Sequence, residues 1–172
     1  EVRAAILRAA LEVFAERGFE SATMAGIGER AGLGAASLYR YYPSKEALFD
    51  AAVPQELAER FAALLDRRVA ALARRADDDL SEAMLAFWIE HRLAVVILLD
   101  GAEGTGHAKY GRAFVAQLVR GTLAEVGTRV LAPSRFVVER VFDHTRRMLA
   151  AILKEHESEQ EIRVAVRTFW SY

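Results

Sequence analysis

Thr23-Met-Ala-Gly-Ile-Gly-Glu-Arg-Ala-Gly-Leu-Gly-Ala-Ala-Ser-Leu-Tyr-Arg-Tyr-Tyr-Pro-Ser-Lys45 is the stretch whose reading decides the fold. Thr23 is a helix N-cap, its hydroxyl placed to accept from the unpaired N–H groups that follow. Met24, Ile27 and Ala31 recur at i, i+3 and i+7 and make one apolar helical face. Gly32 stands where a left-handed C-cap belongs. Leu33 is apolar inside the turn and able to plug the space between two helices. A second helix is predicted from Ala35 to Tyr41, ending before Pro43, which disfavours helix at the residue ahead of it. Ser44 then caps a third helix from Lys45. Two short helices around a glycine-containing turn make a helix-turn-helix.

The second helix has two faces at about 100° per residue. Leu38 and Tyr42, with Ala35 beside them, point inward toward Ile27 and Phe14. Ala36, Ser37 and Arg40 point outward, flanked by Tyr39 and Tyr41. Small residues let a helix sit deep in a major groove. Ala methyls touch thymine methyls, Ser37 bonds a base edge or phosphate, and Arg40 reaches guanine or phosphate. Arg30, Arg40 and Lys45 are the charged residues from 30 to 45, with no carboxylate among them. Ser44 and Lys45 offer N–H groups and an ammonium at a helix start, a phosphate site.

Before this unit, Val2 to Arg17 reads as an amphipathic helix on Val2, Ile6, Ala9 and Val13, widened by Leu7, Ala10, Leu11 and Phe14. Gly18 stops it, and Phe19 tucks under the unit. After it, a long helix is predicted from Lys45 toward Arg75, kinked or broken near Val53 by Pro54. Arg74, Arg75 and Asp77 to Asp79 form a linker. Leu80 to Leu99 is apolar on nearly all sides and predicts a buried central helix, interrupted by Glu90, His91 and Arg92. Gly101 to Gly106 is a connection, lacking the Lys-Ser/Thr of a phosphate-binding loop. Further helices are predicted at Ala108 to Val126, from Pro133-Ser134 to His156, and after Ser158. Val137, Val141, His144, Met148 and Ile152 form a stripe, with Val138, Phe142, Leu149 and Leu153 beside it. Two such C-terminal helices from each of two copies would make a four-helix bundle; the other reading is that both complete the monomer core.

The 172 residues suit one compact fold or two small domains sharing a core. Formal net charge is −1, so affinity for nucleic acid must come from local placement and depend strongly on salt. With no Cys there is no disulfide framework, and the longest apolar run, Leu93 to Leu99, is far short of a membrane span. No leader is visible, and a cytoplasmic setting is expected. The four histidines show no metal spacing, and no nucleophile elbow, dinucleotide motif or carboxylate pair appears, so neither an enzyme, a cofactor nor a metal is expected.

The run Thr-Met-x-x-Ile-x-x-x-Ala-Gly-Leu-x-x-x-Ser-Leu-Tyr-x-Tyr-Tyr-x-Ser-Lys-Glu-x-Leu resembles the DNA-binding signature of the TetR family of bacterial transcriptional regulators. Thr23, Ile27, Ala31, Gly32, Leu33, Ser37, Leu38, Tyr39, Tyr42, Ser44, Lys45, Glu46 and Leu48 carry the likeness, and Ala10 to Phe19 is similar to that family's first helix. It covers roughly Ile6 to Phe49. Three positions depart: Gly34 where a Ser or similar cap is usual, Gly28 for a usual Ala, and an added Gly26. Each interior glycine should weaken an exposed helix by roughly 1 kcal/mol, and the two also permit close backbone approach to DNA or a neighbouring helix.

The resemblance implies an all-α chain, with a helix-turn-helix domain at 1–47 and an effector-binding and dimerisation domain at 48–172. It further implies a repressor of transcription, a homodimer through its C-terminal helices, on a palindromic double-stranded DNA operator, answering to an unknown small-molecule effector. Thr23, Ser37, Tyr39, Tyr41 and Lys45 would mainly hold phosphates, while Ala35, Ala36, Ser37 and Arg40 would face bases. Phe87, Trp88, His91, Tyr110, Phe114 and His144 are the residues expected to line an effector cavity, unless they are plain core. The rival is a helical ligand-binding or protein-interaction module whose DNA head is inactive, a reading favoured by Gly26, Gly28 and Gly34.

Overall fold

The computed structural model describes residues 1–73, 79–126 and 132–171. Among them the chain forms helices only: α1 (Val2–Ser21), α2 (Met24–Arg30), α3 (Ala35–Tyr41), α4 (Lys45–Ala52), α5 (Gln55–Ala73), α6 (Asp79–Glu90), α7 (Arg92–Asp100), α8 (Ala108–Val126), α9 (Ala132–Glu155) and α10 (Glu159–Ser171). None of the described helices is long and apolar enough to cross a membrane. The linker expected around Arg74, Arg75, Asp77 and Asp78 lies outside the described residues, as do the side chain of Trp170 and the whole of Tyr172.

The stop signals act where they stand. Gly18 takes φ 73°, a left-handed conformation that breaks α1 three residues before its end. The chain turns there and Phe19 enters the core, where its ring meets Phe14 at 5.8 Å and Phe49 of α4 at 5.2 Å. Pro54 lacks an N–H and forces Val53 out of helical conformation (φ −125°, ψ 76°). The long helix expected from Lys45 toward Arg75 is therefore two helices. α4 packs on α1 within the N-terminal unit, and α5 packs on α6 and α8.

α7 is the strut of the molecule. Ala94 through Leu99 are all buried, and the helix packs against α1, α8 and α9. Burial of consecutive residues on every side requires polar anchors at the two ends, because helix termini leave N–H and C=O groups unpaired. At its start Arg92 donates to the Leu153 carbonyl at 2.8 Å and so caps the end of α9. At its finish Arg146 of α9 donates to the Leu99 carbonyl and to Asp100. The Gly101 carbonyl then accepts from the Phe19 N–H at 2.8 Å, tying the end of α7 to the end of α1. A Cβ at Gly101 would lie 3.1 Å from the Phe14 carbonyl oxygen, so the two chain segments approach closely there. Lys154 of α9 donates to the Glu16 carbonyl at 3.1 Å, a second tie to α1.

Candidate nucleic-acid interface

The turn between α2 and α3 is built by its backbone. Thr23 Oγ1 accepts from the Gly26 N–H at 3.1 Å, the expected N-cap. Gly32 takes φ 69° and closes α2. The Leu33 N–H then donates to the Gly28 carbonyl at 2.8 Å. Gly28 is buried, and a Cβ there would lie 2.9 Å from the Leu33 carbonyl oxygen. The glycine expected to weaken α2 is thus what lets α3 fold back closely on it. Gly34 has no such neighbour: nothing lies within 4 Å of a Cβ placed on it, and it caps α3 with no side-chain bond.

α3 divides as its periodicity predicts. Leu38 is fully buried and Tyr42 nearly so. Ala36, Tyr39, Arg40 and Tyr41 are exposed, while Ala35 and Ser37 are half-buried. Ala36, Tyr39 and Arg40 form the outward face, with Ser37 on its shoulder. Thr23 stands exposed at the start of α2.

Two of the three cations counted between residues 30 and 45 are spent inside the unit. Arg30 makes a bidentate pair with Glu16 at 2.9 Å and reaches Glu12 at 3.1 Å, bracing α2 against α1. That bonding drives its pKa further above its ordinary value and draws the Glu16 carboxyl below its own. Lys45 turns inward as well. Its ammonium donates to the carbonyls of Phe19 (2.7 Å), Ala22 (2.9 Å) and Glu20 (3.3 Å) and lies 4.4 Å from the centre of the Phe19 ring. All three of its N–H donors are used at the C-terminus of α1, so its ammonium does not point outward as expected for a phosphate contact. Ser44 caps α4 through the Ala47 N–H at 3.1 Å, and the outward cation of α3 is Arg40.

The residues expected around an effector divide differently. Phe87, Trp88, Tyr110 and Phe114 are buried, and His91 is half-buried with its ring 4.7 Å from that of Phe87. Trp88 and Phe114 are ring neighbours at 6.3 Å, and Gln55 donates to the Tyr110 hydroxyl at 2.9 Å. His144 is apart from them, exposed on α9. A cleft of about 1190 Å³ bounded by α7, α8 and α9 contains none of the six. Its charged residues come from three helices and one connection, so no local pattern in the chain announces it.

Residues 6–52 match the family model described as bacterial regulatory proteins, tetR family. The solved structures that resemble the chain are distant in sequence. NalD of Pseudomonas aeruginosa, the secondary repressor of the MexAB-OprM multidrug efflux pump, is 19% identical with a TM-score of 0.44, over 96% of this chain and 94% of that one. The fatty acid degradation regulator FadR of Bacillus halodurans is 14% identical with a TM-score of 0.43, over 94% of each chain. A TetR-family regulator of Mesorhizobium loti is 17% identical with a TM-score of 0.40, over 97% and 96%. No curated protein matches the chain. The match over residues 6–52 falls on α1 to α4, the helices that build and brace the turn, so this N-terminal helix-turn-helix segment is similar to that of the tetR family of bacterial regulatory proteins.

Proposed function

We propose that the protein is a ligand-responsive repressor acting as a homodimer on a palindromic DNA site. The observation that carries the DNA contact is the division of α3. Leu38 anchors the helix while Ala36, Tyr39 and Arg40 stand free to meet a major groove. Arg40 reads a base edge, Ala35, Ala36 and Ser37 lie against the bases, and Thr23, Tyr39 and Tyr41 hold phosphates. The phosphate role expected of Lys45 passes to the backbone at the start of α4 while its ammonium remains on α1.

Dimerisation through α9 and α10 is supported by their exposed apolar side chains. Val137, Val141 and Met148 share a side of α9 beside buried Leu149 and Leu153, and each is about half exposed; Val164 of α10 is exposed too. Two copies joined there would present two recognition helices about 34–36 Å apart, one turn of the duplex. An effector in the second domain would act through the ties between α7, α9 and α1. A coupling of roughly 1–3 kcal/mol weakens operator binding by about 5- to 150-fold.

The test is selection of duplexes from a random DNA pool at moderate salt. A palindrome is expected, and Arg40→Ala should relax preference at one position per half-site, costing about 1–3 kcal/mol there. A folded protein that enriches no sequence would overturn the repressor reading. It would favour the module with an inactive head, which the inward turn of Arg30 and Lys45 supports.

A further inference from the structure

The cleft of about 1190 Å³ between α7, α8 and α9 has an apolar floor and a basic rim. Leu98, Leu99, Val115 and Val119 supply the floor. Six arginines and four carboxylates supply the charge around it. On a chain of net charge −1 this is a local reversal of sign.

The carboxylates are all matched. Asp100 and Asp143 bind Arg146 at 2.7 and 2.9 Å, Asp143 also binds Arg147 at 3.2 Å, Glu103 faces Arg112 at 3.4 Å and Glu139 faces Arg135 at 3.0 Å. Arg120 of α8 and Arg140 of α9 remain. Both are exposed and make no ion pair with a described carboxylate; Arg140 lies over the Phe136 ring at 5.4 Å and is near enough to Asp143 to help hold its carboxyl low. Guanidinium groups left over at the mouth of an apolar cleft select a planar or tetrahedral oxyanion, and the floor selects a hydrocarbon body.

We infer that this cleft binds an organic anion with an apolar chain, its carboxylate or phosphate head held by Arg120 and Arg140. The inference rests on the ligand-responsive reading and names its ligand class. The position of the cleft supplies the route to the DNA head. Leu98, Leu99 and Asp100 line it, and Arg146 fixes that end of α7 through Leu99 and Asp100. The next residue, Gly101, holds the end of α1 through Phe19. A head group among these arginines competes with Asp100 for Arg146 and loosens the last turn of α7, and with it the seat of α1.

The probes are octanoate, octyl phosphate and octanol, titrated calorimetrically into the 172-residue chain. At least one anion should bind tenfold or more tightly than octanol. Preference for octanoate assigns a carboxylate head and preference for octyl phosphate a phosphate head; both support the site. Arg120→Gln/Arg140→Gln should remove the tenfold advantage and leave octanol binding as it was. Should the double variant melt early, each single variant still should lose at least threefold of the anion advantage. Equal binding of the three probes, no binding of any, or an undiminished advantage in the variants would overturn the inference. Release of the selected duplex is measured separately. Anion binding without release would sink the ligand-responsive reading and keep the site; release by some other compound, with no anion binding, would do the reverse.

Discussion

At the scale of single residues, tertiary contacts give Lys45 and Gly28 roles beyond those their local patterns suggest, while Gly34 keeps the one its pattern suggests. Lys45 looks like a phosphate ligand but closes the C-terminus of α1 with three carbonyl contacts. Removing a charged hydrogen-bond donor of this kind, its shared bonds taken together, costs about 1.5–3 kcal/mol. Lys45→Ala should therefore lower unfolding free energy by about 2 kcal/mol in urea titrations. A weakened DNA affinity with unchanged stability would show instead that the ammonium swings outward. Gly28 reads as a helix weakener, yet its missing Cβ is what admits the Leu33 carbonyl. Gly28→Ala should destabilise by about 1–3 kcal/mol, the usual scale of overpacking, where propensity alone predicts a gain of about 1. Gly34 is the open position, with φ −68° and free space. Gly34→Ser should add a few tenths of a kcal/mol through a new N-cap bond, read as a small rise in Tm.

At the scale of elements, α9 is the helix with two apolar sides. Its inner side, with Leu149 and Leu153, is committed to the core. Its outer side keeps Val137, Val141 and Met148 in water. A contiguous apolar stripe on a surface helix calls for a partner. Val141→Glu/Met148→Glu should yield a monomer in sedimentation equilibrium at micromolar concentration. Binding to a two-half-site duplex should fall at least tenfold, with helix content intact. A dimer that survives the double substitution would place the interface elsewhere. The stripe was legible in the sequence, but its division between core and surface was not: helical spacing shows which residues share a side, never which neighbour meets it.

At the scale of the whole molecule, α1 and α4 meet the later helices around α7 and the connection after it. His107, in that connection, is buried against Phe49 of α4 with ring centres 5.3 Å apart, and its Nε2 lacks a partner among the described residues. Burial holds its pKa below 6.5, with Lys109 adding to the effect, while Asp50 and the Val53 backbone oppose it. A depressed folded pKa means the unfolded chain binds the proton first. Stability is full above about pH 6.5 and falls as pH drops toward the folded value. Tm should decline between pH 7 and 5.5, and His107→Phe should flatten that decline. The carboxyls of Glu16 and Asp143, held low by Arg30 and Arg146, act only below their ordinary values of 4.5 and 3.8, so the two acid regimes separate. The caps, the breaks at Gly18 and Pro54 and the inward turn of Leu38 follow from the sequence by itself. Local sterics, proline and glycine geometry and helical period act within a few residues, and that range also encodes the family signature of the turn. Only the tertiary structure decided where Arg30 and Lys45 spend their charge, why Gly28 has no side chain, and which arginines gather at the cleft. Each of those depends on groups from different helices, brought together by burial of the common core and left unmarked by any spacing along the chain.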